Sequence, residues 1–228
     1  MKKERFSRYR HVFFDFDGVI KESVSLKEEA FCELFLPFGL IVAEQVRQHH
    51  RANGGMSRFE KIPHYFRKFA GAEPSAAQLE DALKRFETLV FRKVVDCPWV
   101  PGARELVLCN PWQQCFYLVT ATPKEEIDRI LAQIGLVHVF ERVAGSPAEK
   151  AGAIGTAIRE EKLPPRACVM VGDSGADYDA ARQNGIDFVL RETPENAIMQ
   201  GSISMDFRVK DLRYLAGIEN PQCLPATP

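Results

Sequence analysis

Short apolar segments alternate with amphipathic ones along most of this 228-residue chain, and no other feature of the sequence constrains its fold as much. The apolar segments are rich in Val, Ile and Phe, and their length is typical of buried strands. They cover residues 11–16, 115–121, 139–145, 167–173 and 186–192. Strands that alternate with helices predict an α/β fold, in which a doubly wound, Rossmann-like parallel sheet carries helices on both faces.

One long region interrupts this alternation. Residues 22–97 contain no convincing strand and show four helical patterns instead. The stretch PWVPG that follows ends the last helical pattern, and the alternation of strands and helices then resumes. We therefore expect a helical cap domain at residues 22–97, inserted into an α/β core domain that comprises residues 1–21 and 98–228.

Local start and stop signals refine the helix boundaries. A capping-box pattern opens one helix at Ser57, in which Pro63 predicts a kink, and Ser75 opens the next helix. Thr122 is followed by a proline, a lysine and a glutamate, so it is expected to cap a helix that Gly135 ends.

Charge and composition argue against several classes of function. The chain holds 30 Lys and Arg against 31 Asp and Glu, so no overall field attracts nucleic acid or an anionic membrane. No segment approaches the roughly 20 apolar residues of a membrane span, and the apolar run after the basic first ten residues is too short for a signal peptide. We expect a cytoplasmic protein with six reduced cysteines that binds neither nucleic acid nor membrane. Its oligomeric state stays open.

Two aspartates stand at the end of the first apolar segment, in the sequence VFFDFDGVI. If the strand reaches Phe16, Asp15 and Asp17 point to the same side, because side chains in a strand alternate with a period of two. Neighbouring carboxylates repel each other unless a positive charge lies between them. Thr120 and Asp173 also fall at the carboxyl ends of predicted strands, where ligands bind in parallel sheets. These positions predict a binding site.

Four motifs, each common by itself, occur in a specific order. They are DFDGV at 15–19, LVTAT at 118–122, Lys150, and VGDSGADYDAA at 171–181. In this order, and each at a predicted strand end or in the helix after it, they closely resemble the motifs of the haloacid dehalogenase-like (HAD) hydrolase superfamily. The resemblance covers essentially the whole chain, and it is to the phosphatases that carry a helical cap inserted after the first motif. It is specific for the fold and the class of reaction and says little about the substrate.

The resemblance implies a role for each aspartate of the first motif. Asp15 would attack phosphorus and form an aspartyl-phosphate, and Asp17 would protonate the leaving alcohol and then take a proton from water. Asp15, Asp173 and the backbone carbonyl of Asp17 would hold Mg²⁺. The ion would supply the positive charge that the neighbouring aspartates require.

The resemblance also implies which groups bind the phosphate. Thr120 and Lys150, together with backbone amides near Gly18 and Ala121, would contact the oxygens of the transferring phosphoryl group. Asp177 would orient the lysine and support the ligands of the metal. The site would thus supply positioning and positive charge to a phosphate dianion that otherwise repels nucleophiles.

The predicted helical domain carries a basic stretch around a Gly-Gly pair. The basic side chains are those of His49, His50, Arg51, Arg58 and Lys61. Two interpretations stay open, a polar loop between helices and a loop that selects an anionic or polyhydroxylated substrate. The segment GMSR is similar to one in sugar phosphomutases of the superfamily, where an arginine binds the phosphate distal to the reacting one. Arg58 is therefore favoured as a substrate contact ahead of Arg51 and Lys61, and the two histidines are expected on the helix surface.

The favoured function is a magnesium-dependent phosphatase that hydrolyses a small phosphorylated metabolite, with a sugar phosphate ahead of phosphoglycolate or a nucleotide. Asp17 argues against the dehalogenases and the phosphonate-cleaving enzymes of the superfamily, which lack an aspartate two residues after the nucleophile. A sugar phosphomutase of the same superfamily is the alternative. A non-catalytic binding scaffold is a further one, although the presence of Asp15, Asp17, Lys150 and Asp173 argues against it.

Overall fold

The fold is built on one parallel sheet of six strands within residues 6–197 and 207–218, the part of the chain that this computed structural model describes. The strands are β1 (His11–Phe14), β2 (Cys115–Pro123), β3 (Arg142–Ser146), β4 (Cys168–Gly172), β5 (Asp187–Arg191) and β6 (Arg208–Val209). They lie in the order β3-β2-β1-β4-β5-β6, and all neighbours are parallel. The sheet therefore extends from β1 in both directions, which confirms the predicted doubly wound α/β fold.

The five predicted strands all form, but some of their ends differ from the prediction. β1 ends at Phe14 and not at Phe16, because the chain turns at Phe16, whose carbonyl accepts a backbone hydrogen bond from Ile20 at 2.8 Å. β3 begins at Arg142, three residues later than predicted. The sixth strand was not predicted, since its two residues are too few to show an alternating pattern.

Eight α-helices accompany the sheet in the described residues. The first four follow β1 in succession, namely α1 (Val24–Phe35), α2 (Leu40–Ala52), α3 (Arg58–Lys68) and α4 (Ala76–Asp96). The others are α5 (Ala103–Cys109), α6 (Lys124–Gln133), α7 (Lys150–Glu160) and α8 (Gly175–Gln183), and Leu36–Phe38 and Pro165–Ala167 form short 3₁₀ helices. Helices α1 to α4 together are called the helical segment.

The predicted helix starts are correct in part. Ser75 forms the capping box with Gln78, whereas Ser57 accepts a hydrogen bond from the Phe59 amide without the reciprocal bond that completes a capping box. Pro63 lies inside α3, which continues past it. Thr122 was predicted to cap a helix; it lies in β2 instead, and α6 begins after the proline that follows. Its hydroxyl is therefore available to the site described below.

The core lies on both faces of the sheet. Phe13 packs with Tyr117 and Met170 on one face, whereas its neighbour Phe14 belongs to a larger cluster on the other face. That larger cluster continues into the helical segment and includes Phe86 of α4. Burial of each such aromatic side chain contributes about 1.5–3 kcal/mol. The shared apolar cluster therefore fixes the helical segment against the sheet.

Lys21 fastens the two stretches of chain that join the helical segment to the sheet. Its side chain is buried, donates a hydrogen bond to the carbonyl of Val95 at 3.0 Å, and lies over the ring of Trp99. The amide of Val100 donates to the carbonyl of Ile20 at 3.0 Å beside it. The entry to the helical segment and the exit from it are thus held side by side.

Two expectations from composition concern the chain as a whole. In the described residues, no helix combines the length and apolar character that crossing a membrane requires. Cys32, Cys97, Cys109, Cys115 and Cys168 are free, and three of them are buried. The prediction of reduced cysteines is confirmed for these five, and Cys223 lies outside the described residues.

Candidate active site

The carboxyl ends of three neighbouring strands meet at one edge of the sheet. Phe14, the last residue of β1, is level with Leu118 in β2 and Val171 in β4. Asp15 directly follows β1 and Asp173 directly follows β4, and both line a small cavity between the sheet and the helical segment. The cavity has a volume of about 60 Å³, roughly that of two water molecules.

A tight turn after β1 brings the first aspartate to this cavity. The amide of Asp15 donates to the carbonyl of Val171 at 3.0 Å, and its Oδ1 accepts from the amide of Phe16 at 2.7 Å. Gly18 has a φ of 72°, a backbone conformation that side chains disfavour. A Cβ at position 18 would also overlap the carboxylate of Asp173. Glycine is therefore required here so that the chain after β1 can approach Asp173.

Three carboxylates and one lysine form a buried cluster at the strand ends. Oxygens of Asp15, Asp173 and Asp177 lie within 4.8 Å of one another. Lys150, the first residue of α7, places its Nζ 2.9 Å from Asp15 and 2.6 Å from Asp177. The other oxygen of Asp177 accepts from the amide and hydroxyl of Ser174 at 3.0 and 2.6 Å. Asp177 is thus fully engaged in holding the lysine and the start of α8.

The cluster carries more negative charge than its lysine balances. Burial raises the pKa of Asp15 to about 7, with Asp177 and Asp17 adding to the rise and Lys150 opposing it. Burial, together with Asp15 and Asp177, raises the pKa of Asp173 well above its ordinary value. Burial alone would lower the pKa of Lys150, but its two carboxylate neighbours raise it above the usual range. A further cation would stabilise the ionised carboxylates.

The chemistry of the donor atoms indicates which cation would fit. The oxygens of Asp15 and Asp173 lie close together, and the side chain of Asp173 has no hydrogen-bond or ion-pair partner in the described residues. An all-oxygen donor set on two carboxylates suits a hard divalent cation such as Mg²⁺, which keeps several of its waters. The residues present therefore fit such an ion, and Asp177 is less suited because both of its oxygens are engaged.

Asp17 lies in the same cavity but belongs to a different set of contacts. Its carboxylate accepts from Ser23 and from Thr122, the latter at 3.2 Å, and forms an ion pair with Lys27. Burial raises the pKa of Asp17, but the charge of Lys27 and the hydrogen bonds from Lys27, Ser23 and Thr122 outweigh burial and hold the pKa below its ordinary value. Asp17 is therefore ionised in this arrangement.

Lys27 was not predicted from the sequence. It lies one helical turn after Ser23 at the start of α1, so both side chains point to the same face and reach Asp17 together. Lys27 also donates to the hydroxyl of Thr122 at 2.8 Å. The four-residue spacing was the available signal, but a lysine on an amphipathic helix is usually solvated and therefore gave no reason to single it out.

The predicted phosphate-binding groups lie around the cavity rather than all inside it. Ala121 and Lys150 line both this cavity and an adjoining cleft of about 500 Å³, whereas Thr120 lines only the cleft. Thr120 is buried, and its hydroxyl accepts from the amide of Thr122 at 3.2 Å. Ala121 and Lys150 therefore lie where the cavity and the cleft share their lining, and Thr120 lies on the side of the cleft.

The helical segment contributes Arg58 and Lys61 to the opposite wall of the cavity. Arg58 is buried, donates to Glu126 of α6 at 2.7 Å, and lies over the ring of Phe86. Lys61 is buried as well. Arg51 does not line the cavity, because it pairs with Glu28 at 2.6 Å. Of the three cations considered from the sequence, two therefore reach the site.

The histidines depart from the prediction that both lie on a helix surface. His50 is buried against Phe31 and lines the cavity, because α2 packs its apolar face and this residue onto α1. His49 is half-buried and stacks on His64, with ring centroids 4.5 Å apart. The prediction was wrong for His50, since it assumed that a polar pair ends a helix in solvent.

The Gly-Gly pair serves close packing. Gly55 lies so near α8 that a Cβ there would overlap the Cβ of Ala176 and come within 2.9 Å of the hydroxyl of Ser174. The hydroxyl of Ser57 is 2.9 Å from that of Ser146. The turn between α2 and α3 therefore rests directly on the sheet side of the molecule and covers the cavity.

Comparison with known proteins agrees with this geometry. The family model described as haloacid dehalogenase-like hydrolase matches residues 9–185, most of the chain. The chain belongs to the haloacid dehalogenase-like hydrolase family. The family match confirms the resemblance drawn from the motifs and identifies the protein as an enzyme of this hydrolase family.

Individual relatives share the fold across nearly their whole length. Protein CbbY of Rhodobacter capsulatus is 28% identical over 233 residues, which cover 95% of this chain and 98% of the relative. A structure of CbbY from Rhodobacter sphaeroides in complex with xylulose-(1,5)bisphosphate aligns with a TM-score of 0.72 at 16% identity, over 91% of this chain and 95% of that one. A β-phosphoglucomutase from Clostridium difficile aligns with a TM-score of 0.71 at 17% identity, over 91% and 93%. At these identities the structural likeness establishes the fold.

Proposed function

We propose that this protein is a magnesium-dependent phosphatase that hydrolyses a small phosphorylated metabolite through an aspartyl-phosphate. The observation that carries the proposal is the buried cluster of Asp15, Asp173, Asp177 and Lys150 at the carboxyl ends of β1 and β4. Such a cluster costs folding stability, because burial disfavours its ionised carboxylates. It is consistent with a site that binds a divalent cation, whose charge would offset the excess negative charge of the cluster, and then a phosphate.

In the first half of the proposed reaction, the carboxylate of Asp15 attacks phosphorus and the ester P–O bond breaks. The leaving alkoxide takes a proton from Asp17, which must be protonated beforehand. Protonation of Asp17 removes its ion pair with Lys27, so the acid form is less firmly held than the ionised form. The contact with Lys27 therefore opposes the acid role and favours the base role.

In the second half, water attacks the phosphorus of the aspartyl-phosphate while Asp17 accepts a proton from that water. The bond between phosphorus and the Asp15 oxygen breaks, which releases inorganic phosphate and restores the carboxylate. The ionised state that Lys27, Ser23 and Thr122 favour is the state that this step needs. Their contacts support Asp17 as the general base.

The phosphoryl oxygens need positive charge and hydrogen-bond donors. We assign this role to Lys150 and to Thr120, with the backbone amides near Gly18 and Ala121. Mg²⁺, held by Asp15, Asp173 and the carbonyl of Asp17, would neutralise part of the phosphate charge and lower its repulsion of the nucleophile. Asp177 would keep Lys150 in place, as its 2.6 Å contact with the lysine suggests.

The helical segment would serve as a cap over the reacting groups, with domain boundaries near residues 22 and 97. The cavity of about 60 Å³ is far smaller than the roughly 300–1,000 Å³ of ordinary ligand pockets. A sugar phosphate therefore needs the helical segment to move before it can enter. The adjoining cleft of about 500 Å³ marks the side on which the space is already open.

A sugar phosphomutase is the second candidate. A mutase must protect its aspartyl-phosphate from water, and the position of the cavity beneath the helical segment favours such protection. The CbbY complex with a sugar bisphosphate and the β-phosphoglucomutase are similar in fold, which keeps both reactions open for this chain. A sugar 1-phosphate supplied with a trace of its bisphosphate separates them, since a mutase forms the isomer and a phosphatase releases phosphate.

Phosphate release from sugar phosphates, nucleotides and phosphoglycolate, with and without Mg²⁺, tests the proposal. We expect release only with Mg²⁺, and a loss of at least about 10³-fold in Asp15→Asn, since the nucleophile is removed. Asp96→Asn is the matched control. Asp96 is exposed, forms an ion pair with Arg92 and, among the described residues, has no contact with the buried cluster. Release that continues in Asp15→Asn would overturn the aspartyl-phosphate mechanism.

A further inference from the structure

Three cations of the helical segment face the aspartates across the cavity, but they differ in their partners. Lys27 forms an ion pair with Asp17, and Arg58 forms one with Glu126. Lys61 has no carboxylate within ion-pair distance in the described part of the chain. Of these three cations, Lys61 is therefore the one that has no carboxylate of the described residues to pair with.

The surroundings of Lys61 make this imbalance costly. Its side chain is only 1% exposed, and its Nζ lies 3.0 Å from Nδ1 of His50 and 5.5 Å from the centre of the Phe31 ring. Burial holds the pKa of His50 well below its ordinary value, so the histidine is neutral and accepts one hydrogen bond from the lysine. An ammonium group has three donors, and two of them remain for a ligand in the cavity.

Arg58, which resemblance favours as the substrate contact, is differently placed. Its guanidinium is buried between Glu126 and the ring of Phe86. An anionic ligand at Arg58 would have to compete with a carboxylate that is already in place, and displacing Glu126 would leave that carboxylate buried without a partner. The ion pair instead joins α3 of the helical segment to α6 of the sheet side.

We propose that Lys61 binds a second anionic group of the substrate, a carboxylate or a phosphate other than the one transferred, and so selects dianionic substrates over singly substituted ones. The inference rests on the proposed phosphatase function and names its substrate class. A buried ammonium with free donors forms its strongest hydrogen bonds with an anion. Lys61 and Asp15 line the same cavity from opposite walls, so a substrate over which the helical segment closes would lie between them.

Matched substrate pairs test the proposal. The comparison of phosphoglycolate with ethyl phosphate tests whether a carboxylate is recognised. The comparison of fructose 1,6-bisphosphate with fructose 1-phosphate tests whether a second phosphate is recognised. The readout is the ratio of kcat/KM within each pair, measured as phosphate release. We expect wild type to prefer the more anionic member of at least one pair, and Lys61→Met to reduce that ratio about 10- to 100-fold, the range for loss of a hydrogen bond to a charged group. Lys61→Arg should retain part of the ratio.

The paired replacement Arg58→Leu with Glu126→Leu is the matched control. It removes the other buried cation of this wall together with its partner, so no unpaired charge is left behind. We expect it to keep the wild-type ratio. Circular dichroism and thermal unfolding establish that each variant is folded, and Lys61→Gln, which also removes the charge but keeps a polar side chain, carries the test if Lys61→Met does not fold.

The possible outcomes separate this inference from the proposed function. If wild type releases no phosphate from any substrate with Mg²⁺, both fail. If Asp15-dependent release is found but wild type has no preference, or the preference survives Lys61→Met, only the assignment of Lys61 fails. A ratio that falls as far in the paired replacement as in Lys61→Met also overturns it, because the effect would then not be specific to Lys61.

Discussion

The two walls of the cavity are built in opposite ways. On the sheet wall, carboxylates outnumber cations, and Lys150 is shared between Asp15 and Asp177. On the wall formed by the helical segment, cations predominate, and each of Lys27 and Arg58 has a carboxylate of its own. The sheet wall thus lacks positive charge and the helical wall lacks negative charge at Lys61.

This difference indicates what each wall does. The sheet wall has an excess of negative charge that a divalent cation would offset, and the cation in turn would attract a phosphate, which suits chemistry that is the same for every substrate. The helical wall is mostly neutralised and fastened to the sheet side through the Arg58–Glu126 ion pair. Selection among substrates would then depend on the few groups of this wall that have no carboxylate partner in the part of the chain that the structure describes, above all Lys61.

Lys150→Met should affect the sheet wall most strongly among the residues that are not the nucleophile. Removal of a positive group from the transferring phosphate should lower kcat about 10²- to 10³-fold, as for loss of an oxyanion donor. It should also destabilise the protein by about 3–5 kcal/mol, because Asp15 and Asp177 lose their buried partner. Steady-state kinetics and urea unfolding measure the two effects.

Lys84→Met is the control for that replacement. Lys84 forms an exposed ion pair with Glu80 on α4, and solvent screening leaves such pairs with little effect on stability. Turnover and stability should therefore stay close to wild type. A Lys150→Met variant that kept its kcat would show that the sheet wall does not act through this lysine, and the comparison of the two walls would fail.

Gly55→Ala should disturb the contact between the walls without changing any charge. The added methyl group would overlap Ala176 and crowd Ser174, and overpacking of this kind typically costs about 1–3 kcal/mol. If turnover requires the covered arrangement, kcat/KM should fall about 10- to 100-fold. Gly54→Ala is the matched control, because a Cβ there meets Ser174 at 3.6 Å, an ordinary contact. Equal kinetics in both variants would contradict a role for this close approach.

Lys61 should also make the stability of the protein depend on pH. Burial, followed by the charge of Lys27, lowers the pKa of Lys61 to about 7, against the opposing effects of Asp17, Glu60 and Asp173. Between pH 7 and about 10 the unfolded chain binds more protons at this residue than the folded one, so folding stability rises with pH by up to about 1.4 kcal/mol per unit.

Lys61→Met removes this dependence and serves as the comparison. The variant should be more stable than wild type at pH 7, and its advantage should shrink as the pH rises towards 10. Urea unfolding at pH 7, 8.5 and 10 measures the difference in free energy of unfolding. A difference that stays constant over this range would mean that Lys61 is not buried in its charged form in the ligand-free protein.

The sequence predicted the residues of the sheet wall better than the contacts of the helical wall, and the reason is physical. Asp15, Thr120 and Asp173 follow or end short apolar runs, and parallel topology alone brings such positions to one edge of the sheet. The contacts of the helical wall depend on how helices dock on the sheet. Arg58 and Glu126 are 68 residues apart, and no local pattern relates them.

The errors at the end of β1 have the same origin. The argument that Asp15 and Asp17 share one side of a strand was wrong, since β1 stops at Phe14 and the chain turns at Gly18. Both carboxylates still face the cavity, because the turn returns Asp17 towards Lys27. Periodicity could predict that the two aspartates belong to a site, but the turn decides which partner each one has.

Lys27→Met should give the smallest of these effects and shows whether Asp17 belongs to the sheet wall or the helical wall. Without the lysine, the pKa of Asp17 rises, so its base form is lost at a higher pH as the solution is made more acidic. The ratio of kcat at pH 5 to kcat at pH 8 should therefore fall below that of wild type, and Ser23→Ala should lower it less, because a hydrogen bond is lost but the charge remains. If the ratio does not change in Lys27→Met, Asp17 is governed by the sheet wall alone, and the helical segment contributes only to substrate selection.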